Sequence, residues 1–354
     1  MSGSLQQRPV PLLTAELPGT SGIVRVAEED FLVEELPLYQ PSGSGEHLYL
    51  TVEKRNRTTQ EVAREIAQAL GARERDVGTA GLKDKRAVTV QRISVATKVS
   101  AEEASRIEGA GFRVLSAARH GNKLRPGHLK GNRFRIVVRG VLPDALARAE
   151  AICGRLREQG AANLFGPQRF GKGGDNAALG HAILLRETQV RDRFLRRIAL
   201  SALQSELFNR CLAARISDRL FATAIDGDVL KKRATGGLFV CTEVETDARR
   251  VASFEVDPAG PLPGHSLFAA QGEALRREQA TLAEAGVDPA CFAAGGAEME
   301  GARRPYRIAP EELRVEALGP EALSVQFALP KGSYAVSVLR EITKSEVAAA
   351  DLAV

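Results

Sequence analysis

Residues 78–95 read GTAGLKDKRAVTVQRISV, a charged, glycine-containing loop that runs directly into strand-forming sequence. The second half, AVTVQRISV, is rich in β-branched residues, whose stiff χ1 angles suit a pleated backbone. The first half carries one carboxylate, Asp84, between Lys83 and Lys85, with Arg86 next. Upstream, Thr58 and Thr59 offer an N-cap to QEVAREIAQALG. There Val62, Ile66 and Leu70 recur at four-residue spacing, and Gly71 ends the helix. Before that helix, GIVRVAEEDFLVEEL and HLYLTVEKR read as short strands, while residues 1–20 are broken by Pro and Gly and read as irregular. Strands and a helix gathered around one charged loop predict a mixed α and β fold.

Downstream, RFRIVVR alternates more cleanly. Phe134, Ile136 and Val138 share one face, and Arg133, Arg135 and Arg139 share the other, which reads as a solvated sheet face. A helix follows in PDALARAEAICGRLREQG, with Leu142, Leu146, Ala149, Ile152, Cys153 and Leu156 as its apolar stripe. Texture changes near Gly160. ANLFGPQRFGKGGDN is dense in Gly, Asn and aromatic residues and reads as an ordered functional loop. Helical sequence follows in RFLRRIALSALQSELFNRCLAARI, then a less periodic Gly/Pro-rich stretch to Tyr306. Strand character returns in LRVEALGP and LSVQFALP. Strand-like sequence resuming after a different middle suggests one domain inserted into another. The 354 residues also exceed the usual size of a single core.

Composition narrows the classes of function. A net charge of +5 is compatible with a polyanionic partner but too small to demand one. Cys153, Cys211, Cys241 and Cys291 are widely scattered, with no C-x-x-C and no histidine at metal-ligand spacing. Neither a zinc site nor a disulfide framework is expected, and a reducing compartment fits. His47, His120, His128, His181 and His265 form no i,i+4 metal pair. FGKGG lacks the G-x-x-x-x-G-K-[ST] spacing of a triphosphate loop. No metal and no cofactor are expected. The stretch MSGSLQQRPVPLL is not built like a secretory signal, and no window approaches a membrane span, so a cytoplasmic protein is expected.

Asp84 remains the focus of chemistry. Nearby cations favour an ionised carboxylate, and such a group beside a nucleic acid can attack a sugar carbon or stabilise an oxocarbenium-like centre. On charge pattern alone, a solvated surface turn is the commoner reading. Further blocks change that balance: SGIVRVAEEDFLVEE, SGSGEHLYLTVEKRNRTTQEVAREIA, HGNKLRPGHLKGNRFRIVVR, NLFGPQRFG, LSALQSELFN and LPKGSYAVSVLREI. Together with GTAGLKDKRAVTVQRISV, and in this order from Ser21 to Ile342, they resemble the TruD-type tRNA pseudouridine synthases.

The resemblance implies a pseudouridine-synthase catalytic domain with a mixed, mostly antiparallel sheet, residues 1–159 and 309–354. An inserted α/β domain, residues 160–308, would complete a cleft. It implies tRNA as substrate, uridine 13 of the D arm as target, and no cofactor. Asp84 matches the catalytic aspartate of the family's AG-x-KD motif. Phe31 matches an aromatic near the target base, although its neighbours Leu32 and Val33 also suit a strand core. Asn132 matches a substrate-contacting position, although Gly131-Asn132 could equally start a turn. Tyr334 matches an aromatic that packs on the flipped base and replaces its lost stacking. Arg25 stands where the family tends to be basic, and could pair with Asp84 or be an exposed strand arginine.

Lys83 and Arg86 are assigned to phosphates or structural pairing rather than to chemistry. Lys123, Arg125 and Arg169 are further candidates for RNA contact, with loop placement the alternative for the 120–128 run. Ala162 and Leu164 depart from the family's usual Pro and Tyr, away from the nucleophile. A monomer is expected, and no protein partner is indicated. The same chemistry on another RNA uridine stays open, as does a non-catalytic RNA-binding or folding role. Retention of both Asp84 and the stacking aromatic argues against the last.

Overall fold

The architecture is that of a computed structural model, which describes residues 5–345. Its main feature is a ten-stranded sheet. From one edge the strands run Glu311–Ala317, Ala322–Pro330, Leu129–Arg139, Phe31–Pro37, Val88–Ala96, His47–Arg55, Phe112–His120 and Glu108–Gly109. Two short strands lie off that path: Ile23–Val24 pairs with Leu129–Arg139, and Val77–Thr79 pairs with Val88–Ala96. Among the described residues, every pairing in this sheet is antiparallel except one. Phe31–Pro37 and Val88–Ala96 run parallel, with Leu32 opposite Val88. The expected mixed, mostly antiparallel sheet is therefore the observed one, and the chain folds as a mixed α and β protein.

The helix after Thr58 forms as its sequence predicts. Thr58 accepts from the Glu61 amide while the Glu61 carboxylate returns to the Thr58 amide, a capping box that satisfies two orphan donors. Val62, Ile66 and Leu70 are buried against Leu48, Leu50, Val52, Ile93 and Val95. On the other half of the sheet, Phe134 stacks on Phe327 at 5.2 Å and meets Phe31 edge-on at 6.4 Å. This core is closed by Ala149, Ile152, Cys153 and Leu156 of the helix Ala145–Gln159 and by Val338, Leu339 and Ile342 of the helix Val336–Thr343. The expected stripe needs one correction: Leu142 precedes the helix and Leu146 is exposed. Ala145 takes the inward place instead, one turn before Ala149.

The arginines of Leu129–Arg139 face outward, and two of them are paired. Arg133 bonds Glu34 and Glu312, and Arg139 bonds both oxygens of Asp30. Val137, on their side of the strand, is nevertheless buried.

The less periodic Gly/Pro-rich middle, for which the sequence marks no individual strands, holds a second, four-stranded antiparallel sheet. Its order is Leu238–Val240, Val229–Lys232, Val256–Leu262, Ala302–Pro305. The helices Val244–Ala252 and Gly272–Glu284 belong to the same stretch, and the long helix Arg193–Ser217 crosses it. Where the chain enters and leaves this region, Ala161–Ala162 pairs with Arg307–Ile308. Residues 5–10 are irregular as expected, yet they pack on the middle region: Leu5 joins Leu200, Leu203 and Leu207, and the Arg8 amide donates to Glu206.

Candidate active site

The loop carrying Asp84 leaves the strand Val77–Thr79 and is pinned at several points. Gly78 lies so close to the Leu124 carbonyl that a Cβ there would sit 2.2 Å from its oxygen, so a side chain would push the loop out of place. The Ala80 carbonyl accepts from the Gly127 amide at 2.8 Å, and the Lys83 amide donates to the Thr59 hydroxyl at 3.0 Å. From below, the Lys54 ammonium donates to the backbone carbonyl of Asp84 at 2.8 Å. Lys54 is almost wholly buried, and that burial pulls its pKa down to about 8 against the opposing pull of Asp84.

The side chain of Asp84 is about one-third exposed (31%), and Arg25 Nη2 donates to Oδ2 at 2.6 Å. Of the two readings of Arg25, the structure therefore contains the pairing one. Arg25 adopts a left-handed backbone conformation, with φ at 61°, which costs a non-glycine residue energy. Its guanidinium lies 4.0 Å above the Phe31 ring, a cation–π geometry. Its Nε and Nη1 are buried with no hydrogen-bond partner.

Of the sequence neighbours of Asp84, Lys83 turns inward and Arg86 stays exposed. Lys83, a candidate for RNA contact or structural pairing, points its ammonium inward and takes the structural role. It forms a buried ion pair with Glu35 at 2.9 Å and donates to Asn132 Oδ1 at 2.9 Å. Lys83 thus reaches the interior while its neighbour Asp84 meets Arg25. Asn132 stands inside the strand Leu129–Arg139 and not in a turn. With its oxygen taken by Lys83, its amide NH₂ remains to donate to a ligand.

These groups line one cavity of about 380 Å³, within the range of small-ligand sites. Phe31 contributes to both readings offered for it: it is core-buried and also lines the cavity. Tyr334 stands on the opposite wall, 37% exposed, its ring 6.5 Å from Phe165. Arg169 and Gln168 reach the same cavity from the middle region, Arg169 bonded to Ser205 and Ser201.

The structure thus brings together Asp84, Arg25, Phe31, Lys83, Asn132, Tyr334 and Arg169. It leaves the other candidates outside. Arg86 is exposed beside a neighbouring cleft that includes Arg25, and Lys123 and Arg125 line a separate cleft with His120 and His128.

Sequence reasoning did not find Lys54, Glu35 or Arg304. The first two continue buried alternating faces, Leu48, Leu50, Val52, Lys54 and Phe31, Val33, Glu35, and a charge at a core-facing position was the available signal. Arg304 lies 4.2 Å over the Phe165 ring and donates to the Asn163 and Gly332 carbonyls. Burial lowers its pKa to about 10, and no pattern in the Gly/Pro-rich middle marks it.

Comparison with known proteins decides the family. The profile described as "tRNA pseudouridine synthase D (TruD)" matches residues 10–190 and 188–342. The chain belongs to the TruD family. Among its relatives, the tRNA pseudouridine synthase D of Anaeromyxobacter sp. (strain Fw109-5) is 54% identical over 95% of this chain and 96% of the relative. A tRNA pseudouridine synthase D of Thermus thermophilus is 45% identical over 95% of this chain and 92% of the relative. A Methanosarcina mazei chain assigned as TruD and solved by crystallography aligns with a TM-score of 0.79 at 25% identity, covering 95% of this chain and 96% of that one. The TruD fold therefore spans both the ten-stranded sheet and the middle region.

Proposed function

We propose that this protein isomerises uridine to pseudouridine in tRNA, acting on uridine 13 of the D arm with Asp84 as nucleophile. One observation carries the reading: in a chain of this family, a carboxylate held by a buried arginine opens into a cavity walled by aromatic rings. The isomerisation breaks N1–C1′ and forms C5–C1′. The C5 hydrogen leaves as a proton and N1 takes one up, so no electrons and no co-reactant are consumed.

Each residue then has a task. Arg25 fixes the orientation of the Asp84 carboxylate, which supplies negative charge at C1′ as the bond to N1 breaks. The extruded base loses its stacking neighbours, and Phe31 and Tyr334 replace them. The Asn132 NH₂ donates to a uracil carbonyl oxygen, with Lys83 holding the amide in that orientation. In this reading residues 1–159 and 309–354 form the catalytic domain and residues 160–308 the inserted one, which brings Arg169 to the RNA. The protein acts as a monomer in the cytoplasm. No helix of the described residues is long and apolar enough to cross a membrane.

The test is pseudouridine mapping on unmodified tRNA transcripts with the parent and Asp84→Asn. New pseudouridine at position 13 with the parent alone, and tRNA affinity within a few-fold for the variant, is the expected result. Full activity in Asp84→Asn would remove Asp84 from the chemistry, and modification elsewhere would overturn the target.

A further inference from the structure

Away from the Asp84 cavity, a cleft of about 530 Å³ is lined by Tyr39, His120, Asn122, Lys123, Arg125 and His128. It carries two cations and two imidazoles, and among the described residues no carboxylate lines it. The rings are ordered against one another: Tyr39 stacks on His120 at 5.2 Å, and His120 tilts on Tyr49 at 4.6 Å. A backbone hydrogen bond fixes the tautomer of His120. His120 Nδ1 accepts from the Ser42 amide at 3.2 Å, which puts the proton of the neutral ring on Nε2. His128 Nδ1 meets the Tyr39 hydroxyl at 3.0 Å, and that hydroxyl meets the buried Tyr49 hydroxyl at 3.1 Å. The hydroxyl chain occupies Nδ1 of His128 and leaves its Nε2 for a ligand.

Lys123 spends one of its donors on the Arg75 carbonyl at 2.5 Å and keeps two. Arg125 is exposed. The His120 Nε2–H, an ammonium and a guanidinium around one hollow form a donor set suited to a phosphate oxygen.

The cleft is mechanically tied to the Asp84 cavity. Gly127, in the loop between Arg125 and His128, donates its amide to the Ala80 carbonyl at 2.8 Å and accepts from Lys331 Nζ at 3.1 Å. One residue thus joins the loop that leads to Asp84 and the loop that leads to Tyr334. We propose that this cleft is a phosphate site that grips a backbone phosphodiester of the tRNA, at a nucleotide other than the one whose base enters the Asp84 cavity. The proposal rests on the reading of the protein as a tRNA-modifying enzyme. By holding the strand at a fixed distance from the cavity, the site sets the register in which a uridine is offered to Asp84.

The test uses the full chain, an unmodified tRNA transcript, and affinity titrations over a series of potassium chloride concentrations. Arg125→Ala should weaken binding about 3- to 10-fold and lower the slope of log affinity against log salt by about one, the signature of one lost phosphate contact. Arg125→Lys keeps the charge and should keep the slope. Arg276→Ala removes an equal charge from the helix Gly272–Glu284, remote in sequence from the cleft, and should change neither quantity.

An unchanged slope in Arg125→Ala overturns the site. An equal drop in Arg276→Ala also overturns it, because the effect would then be one of net charge. Turnover is followed in parallel, and Arg125→Ala should raise KM for the tRNA. Absence of turnover in the parent would fail the functional reading alone, since affinity and slope are read without chemistry.

Discussion

Two arginine–aspartate pairs in this protein use the same residue types to opposite ends. Arg215 meets both oxygens of Asp228 at 2.7 Å and spends two of its three other donors on the Leu220 and Thr223 carbonyls. Asp228 accepts in addition from the Ile225 amide, and both side chains are buried, with exposures of 5% and 6%. Arg25 meets Asp84 through a single nitrogen, leaves Nε and Nη1 without partners, and holds a strained backbone to do so. The first pair is nearly saturated and buried, and it supports the fold. The second is incomplete, and the partly exposed carboxylate keeps lone pairs for something outside the chain. Donor accounting, more than burial or distance, separates a pair completed within the fold from one left open to a ligand.

That contrast can be broken by substitution. Asp228→Ala leaves a buried guanidinium without its counter-charge, and should cost about 3–5 kcal/mol of stability. Its thermal unfolding midpoint should fall by several degrees while turnover of the folded fraction stays near the parent's. Equal stability would mean the buried pair supports nothing. Arg25→Met should act the other way round: the unfolding midpoint barely moves, because Asp84 is partly exposed and two buried nitrogens without partners are removed, but kcat falls about 10²-fold as the carboxylate loses its fixed orientation. A large drop in the midpoint with intact kcat would make Arg25 a fold residue.

Tyr334→Ala removes a stacking surface worth about 1–3 kcal/mol per base, so both KM and kcat should worsen. Unchanged kinetics would leave the ring a purely packing role. The smallest effect belongs to Lys54, whose folded pKa of about 8 lies below its usual value of 10.5. Below pH 8 both folded and unfolded chains carry the charge, and folding bears the full cost of burying it. Between pH 8 and 10.5 the folded chain has released the proton and the unfolded chain has not, so stability rises with pH. The unfolding midpoint of the parent, relative to Lys54→Met, should therefore shift upward by roughly a few degrees from about pH 7 to about pH 9.5. A constant difference would mean that Lys54 titrates alike in both states.

Legibility from sequence follows the strength of each local signal. The Thr58-capped helix and the strand Val88–Ala96 are readable because cap, period and β-branching agree. The second sheet is hidden for a physical reason. Val256–Leu262 contains Pro258 and Pro261, which argue against a central strand. The strand tolerates them because residues 256–258 pair on one side and residues 259–262 on the other, so each half is an edge. Asp84 rises above a surface turn only through resemblance, since a lone acid among bases is common. The ion pairs around it are opaque. Lys83 sits next to Asp84 in sequence yet serves Glu35, whereas Arg25, far upstream, supplies the salt bridge.

The pairing of Ala322–Pro330 with Leu129–Arg139 also bears on how the protein is made. During synthesis the first half of the large sheet emerges with Leu129–Arg139 open along one edge, and the whole of residues 160–308 must follow before its partner leaves the ribosome. An open edge is a template for wrong pairing, and non-local closure is slow. The strand Leu129–Arg139 therefore stays an unpaired edge until residues beyond 308 have been made. Because Tyr334 follows Ala322–Pro330 directly, the Asp84 cavity acquires its far wall only when this strand docks.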